Sequence, residues 1–107
     1  MLGSVVVLIL GEVKVVVKFL QEFYSTIGRY SLEVTLAEGA TIRDLIEYID
    51  KNVKKSFKNL VLDSKGGIRY PVEIALNGRR IEFLEGLETM LKNGDTIVFS
   101  PRAFFVL

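Results

Sequence analysis

The sequence predicts an α+β fold in which one amphipathic helix packs on a mixed sheet. Strand-like alternation appears near both ends of the chain, a single strong helical period lies between them, and two Asn-Gly pairs mark tight turns. At 107 residues, half apolar and a quarter charged, the chain has material for one ordinary core, and residues 1–107 read as a single domain.

The elements follow in order. Val5 to Leu10 is an unbroken apolar run, far short of the roughly 20 residues a membrane helix needs. No basic leader or small-residue cleavage site accompanies it, so no signal peptide is expected. Residues 1–11 read instead as an apolar strand or arm, the alternatives being a disordered extension or a start codon placed too early. Val13, Val15, Val17 and Phe19 then alternate with Lys14, Val16 and Lys18, as one face of a strand requires. The segment "QEFYSTIGRY" connects this strand to a second, where Leu32, Val34 and Leu36 alternate with Ser31, Glu33 and Thr35. That connection is short enough for a hairpin.

Thr41, with Asp44 three residues on, has the spacing of a capping box. Ile42, Leu45, Ile46, Ile49 and Val53 recur at helical spacing behind it, while Arg43, Glu47, Asp50, Lys51 and Lys54 face away. Glu47 with Lys51 and Asp50 with Lys54 stand four apart in the favourable order. "SFKNLVLDSKGGIRYP" breaks the period, and Gly66, Gly67 and Pro71 mark it as an irregular crossing. Val72, Ile74 and Leu76 form a third strand, Asn77-Gly78 turns the chain, and "RRIEF" reads as a fourth. After a turn region with Leu84, Leu87 and Leu91, Asn93-Gly94 leads into a last strand with Ile97 and Phe99 on one face. The order ββαβββ is that of the β-grasp, or ubiquitin-like, roll.

The segments "EGATIRDLIEYI", "VEIALNGRRI" and "LETMLKNGDTIVFSP" make the match more specific. Over about residues 12 to 101 the chain resembles the MoaD/ThiS family of ubiquitin-like sulfur carriers, and the long crossing is closer to the molybdopterin synthase small subunit. That resemblance implies a protein that is not an enzyme itself. Its C-terminus would be adenylated by an E1-like activating enzyme, converted to a thiocarboxylate, and inserted into a partner such as a molybdopterin synthase large subunit. The expected setting is molybdenum-cofactor or related sulfur metabolism in the cytoplasm.

Family members end in Gly-Gly, whose lack of side chains lets the tail thread a narrow tunnel. Here Ile97 to Pro101 match the last strand and its exit, but the glycine positions fall near Phe104 and Phe105, and no glycine follows Gly94. The apolar tail over residues 102–107 has three open accounts: it folds back on the domain, pairs with a second copy, or inserts aromatic anchors into a larger partner. The candidate partner-docking residues are therefore Phe99, Pro101, Arg102, Phe104, Phe105, Val106 and Leu107. The rival reading is a β-grasp interaction or assembly module that has lost sulfur transfer.

Composition excludes much else. No cysteine and no histidine occur, which removes disulfides, thiolate or imidazole nucleophiles, and the metal sites built from them. No cofactor is expected. Lys and Arg number 14 against 13 Asp and Glu, so no overall field draws in nucleic acid or an anionic membrane. Arg69, Arg79 and Arg80 with Lys51, Lys54, Lys55 and Lys58 read as a solvated charged face rather than a nucleic-acid platform. Glu82, Glu85 and Glu88 would bind a cation only by accident of geometry.

Overall fold

A computed structural model describes residues 11–102; the apolar run Val5 to Leu10 and the tail residues Phe104 to Leu107 lie outside the described residues. Five strands form one mixed sheet: β1 (Glu12–Phe19), β2 (Ser31–Ala37), β3 (Val72–Leu76), β4 (Arg79–Arg80) and β5 (Thr96–Pro101), in the spatial order β2-β1-β5-β3-β4. β1 runs parallel to β5, with Val17 opposite Ile97 and Phe19 opposite Phe99, and antiparallel to β2. β3 is antiparallel to β5, with Ile74 opposite Phe99. The first and last strands are thus central neighbours, and the ubiquitin-like β-grasp topology is complete.

One face of this sheet is apolar because the side chains alternate. Val13, Val15, Val17 and Phe19 of β1 point inward with Ile74 and Leu76 of β3 and with Ile97 and Phe99 of β5. The main helix α2 (Ile42–Asn52) covers that face with Ile42, Leu45, Ile46 and Ile49, all fully buried. Its start follows the predicted capping box: Thr41 N–H donates to Asp44 Oδ2 at 2.9 Å, and Asp44 N–H donates back to Thr41 Oγ1 at 3.3 Å.

Two further short helices occupy the connection expected to be a hairpin and the crossing expected to be irregular. α1 (Glu22–Ile27) occupies the β1–β2 connection and ends at Gly28, whose φ of 83° is left-handed. It exists because Phe23 must reach the core. α3 (Phe57–Val61) interrupts the long crossing and buries Phe57 and Val61. Phe19, Phe23, Phe57 and Phe99 then meet in one cluster, Phe57 lying edge-on to Phe99 at 5.2 Å and Phe19 stacked on Phe99 at 5.9 Å. The fourth strand is shorter than "RRIEF" suggested. Only Arg79–Arg80 pair with β3, after which Ile81–Phe83 turn into a 3₁₀ helix that sends Ile81 into the core.

The two expected ion pairs on α2 give way to a different arrangement. Glu47 binds Lys58 Nζ at 2.9 Å instead of Lys51, and Asp50 accepts the Lys58 backbone N–H at 2.8 Å. This docks α3 on α2. The Glu47 carboxylate, through its hydrogen bond and its charge, raises the Lys58 pKa.

The two Asn-Gly turns are bound to each other. Asn77, at φ 51°, donates through Nδ2 to Asp95 Oδ1 at 2.9 Å and accepts the Thr96 N–H at 2.9 Å. The other oxygen of Asp95 accepts the Lys92 N–H at 2.7 Å. Asn93 accepts the Lys14 N–H at 2.8 Å, and Gly94 N–H donates to the Lys14 carbonyl at 2.8 Å. The paired motifs therefore clamp β3, β5 and β1 together at one end of the sheet.

Candidate functional site

The feature to explain is where β5 delivers the chain. Ile97 and Phe99 are fully buried, so they anchor the strand in the core; Thr96, Val98, Ser100 and Pro101 are half-buried. Pro101 lies opposite Val72 at the last ladder position. Arg102 then fixes the exit: its backbone N–H donates to the Pro71 carbonyl, and its Nη2 donates to Glu82 Oε1 at 3.3 Å. The same guanidinium lies 5.9 Å from the centre of the Tyr70 ring.

Glu82 is shared. Arg80 Nη1 approaches its other oxygen at 3.6 Å, and Arg80 Nε donates to Glu73 Oε2 at 3.2 Å. Arg80 also lies 5.9 Å from the centre of the Phe83 ring. The result is a row of alternating charges beside the exit, with Tyr70 and Phe83 the two most exposed large hydrophobic side chains among the described residues. A shallow recess of about 160 Å³ lies in this row, lined by Tyr70, Glu73, Arg80, Glu82 and Arg102 among others. Chemically the row offers hydrogen bonding and aromatic surface around a chain exit, the composition of a protein contact.

The sequence-predicted docking residues divide. Pro101 and Arg102 sit at the exit with exposed surface. Phe99 does not reach a surface: it has no exposed area and sits at the centre of the aromatic cluster, so presenting it to a partner would open the core. Phe104, Phe105, Val106 and Leu107 lie outside the described residues. Tyr70 and Phe83 beside the exit were not singled out from the sequence, and Glu82 was read only within an acidic cluster, since nothing in their local sequence ties them to a terminus 20 or more residues away in the chain.

Several members of the charged sets singled out from the sequence are drawn into pairs. Arg69 Nε donates to the Asn59 carbonyl at 3.1 Å and its Nη2 to the Leu62 carbonyl at 3.2 Å, while Arg80 and Lys58 are held by glutamates as described. Glu82 turns to Arg80 and Arg102, and Glu88 to Arg43 at 2.7 Å. Among the described residues no group of acidic side chains is arranged to hold a metal ion, and no helix is long and apolar enough to cross a membrane.

The family model described as the ThiS family matches residues 17–101, from the middle of β1 to the last residue of β5. The chain belongs to the ThiS family. Small archaeal modifier protein 3 of Haloferax volcanii is similar to this ThiS-family chain, 28% identical over 87 residues that cover 80% of this chain and 92% of that protein. The "Putative sulfur carrier protein" of Archaeoglobus fulgidus is 30% identical over 77 residues, 72% of this chain and 85% of that protein. Among solved structures, the "Putative molybdopterin converting factor, subunit 1" of Pyrococcus furiosus superposes with a TM-score of 0.66 at 33% identity, covering 85% of this chain and 99% of that one. The ThiS-family chain thus falls in a superfamily of small ubiquitin-like carriers and modifiers.

Proposed function

We propose that this protein works by presenting the segment after β5 to a protein partner, as a cytoplasmic carrier in sulfur transfer related to molybdenum-cofactor synthesis. It is not itself an enzyme in this reading. The supporting observation is the pinned exit: a buried central strand ends at Pro101, and Arg102 is tied to Pro71, Glu82 and Tyr70, so the following residues leave from a fixed point. A fixed origin lowers the entropy lost when a tail enters a partner's groove. The partner would be an E1-like activating enzyme or a protein like the molybdopterin synthase large subunit. The activating enzyme would adenylate the terminal carboxylate, and a sulfur donor would then convert it to a thiocarboxylate.

A modifier role, with the carboxyl terminus joined to a lysine of another protein, draws on the same exit and on the likeness to the Haloferax modifier. A further reading, a module that docks without transferring sulfur, is favoured by one observation: Phe104 and Phe105 stand near the positions where the family carries glycines. Side chains of that size do not follow a tunnel shaped for glycine.

The test is recovery of partners from the native organism with the intact chain and with a chain ending at Pro101, combined with mass spectrometry of the C-terminus after incubation with ATP and the recovered activating enzyme. The mass change of oxygen-for-sulfur exchange supports the carrier, and an isopeptide remnant on a target lysine supports the modifier. Tail-dependent capture without either product supports the docking module. Capture that is identical for both chains refutes delivery through the exit.

A further inference from the structure

β2 is an edge strand of seven residues, and among the described residues only β1 pairs with it. Backbone groups alternate in direction along a strand. Tyr30 accepts from Phe19 and Glu38 donates to Gly11, so the even-numbered positions Leu32, Val34 and Leu36 turn their N–H and C=O groups toward β1. Ser31, Glu33 and Thr35 turn theirs outward. Edges of this kind are usually blunted by lysine, proline, a bulge or short length. β4 shows two such devices, being two arginines long. β2, reading "SLEVTLA", is full length without proline or bulge and carries one exposed charge, Glu33.

We propose that the outer edge of β2, unpaired among the described residues, is a self-association surface on which a second copy pairs antiparallel about a two-fold axis at Val34. The sequence of the strand is complementary to itself in that register. Ser31 falls opposite Ala37 of the second copy, Glu33 opposite Thr35, and Leu32 opposite Leu36. No charge falls directly opposite a like charge, and the two Glu33 carboxylates are diagonal neighbours across the axis. The outward backbone groups of Glu33 and Thr35 become the hydrogen-bonded pairs, and those of Ser31 and Ala37 add to them, although the Ala37 carbonyl already accepts from Ala40 at 3.1 Å. Leu32 and Leu36, half-buried at the margin of the core, close over the seam and extend the apolar layer across both copies. An axis at Glu33 instead would set the two Glu33 carboxylates against each other. The pairing is isologous and closed, giving a dimer rather than a fibre.

Thr35 supplies the test because it faces Lys14 within the same chain. Thr35→Glu places a carboxylate beside Lys14 in the monomer, yet opposite Glu33 of the second copy twice per dimer. Thr35→Lys does the reverse. Sedimentation velocity of the full chain over a wide concentration range is expected to show a monomer–dimer equilibrium, with Kd raised about tenfold in Thr35→Glu and lowered in Thr35→Lys. Thermal unfolding at concentrations where the chain is monomeric should leave Thr35→Glu at least as stable as the parent, so a weaker dimer is not a fold defect. A chain that stays monomeric into the millimolar range overturns the proposal. So does a dimer whose Kd ignores both substitutions, which would place the contact elsewhere, including residues 1–10 or 103–107.

Discussion

Replacing Asn77 tests whether the two Asn-Gly turns act as one clamp. Asn77→Ala removes a hydrogen bond to the Asp95 carboxylate, for which charged partners suggest roughly 1.5–3 kcal/mol, and a neutral one from Thr96 N–H of about 1 kcal/mol. It also places a Cβ without a compensating amide at φ 51°, where left-handed backbone costs an alanine roughly 1 kcal/mol. Asp95 is buried and keeps its other contact with Lys92, so the oxygen that loses Asn77 is left poorly satisfied. The expected loss is about 3–5 kcal/mol, read in urea as a lower midpoint with an unchanged slope, or as a fall in Tm of at least about 12 °C. Asn77→Gly removes the same bonds without the left-handed penalty and should recover about 1 kcal/mol of that loss. Hydrogen exchange at Thr96 should accelerate in both. An Asn77→Ala loss below about 1 kcal/mol would refute the clamp, and equal losses for Ala and Gly would refute the left-handed penalty.

Thr41→Ala should cost about 1 kcal/mol by removing the cap of α2, and combining it with Asp44→Ala should cost less than the sum, because the two side chains cap reciprocally; a double-mutant cycle in urea measures the coupling. Phe57→Ala should cost about 3–5 kcal/mol and lower near-ultraviolet dichroism, since it removes the ring in edge contact with Phe19, Phe23 and Phe99, while Phe57→Leu should keep most of the stability. Asp63 is held below the usual carboxylate range by the N–H groups of Gly67 and Lys65. Its folded pKa is depressed, so its contribution is present above the unfolded value near 3.9 and lost as pH falls through the folded one; the stability gap to Asp63→Asn should close below about pH 4 in acid titrations of unfolding.

The strands that alternate cleanly were legible, as were the cap and apolar stripe of α2, because each signal is local and repeats several times. α1 was not, since six residues allow one turn and a half; Phe23 and Ile27 four apart, followed by Gly28, were the available signal. "RRIEF" alternates like a strand, yet Ile81 is drawn into the core and the ladder ends after two residues. Tertiary burial overrode the local pattern. The same cause removed Phe99 from the docking set: its inward position on β5 was visible beside Ile97, and a residue in a central strand facing the helix has no surface to offer. Arg102 follows directly from the strand that the alternation marked, but its partners Tyr70, Pro71 and Glu82 belong to a distant part of the chain that the β3–β5 ladder brings alongside it.

The parallel pairing of β1 with β5 carries a consequence for biosynthesis. The two central strands pair across 80 residues of sequence, Val16 opposite Thr96 and Val17 opposite Ile97. Contacts this distant are closed late, and a chain growing on the ribosome at roughly 5–20 residues per second must hold β1 and β2 without their central neighbour for several seconds. A nascent or prematurely terminated chain lacking Thr96 to Pro101 has no middle to its sheet and no Phe99 to complete the aromatic cluster. Folding is therefore a check on translation: only a chain synthesised through β5 acquires a core, and β5 is the strand that leads to the exit.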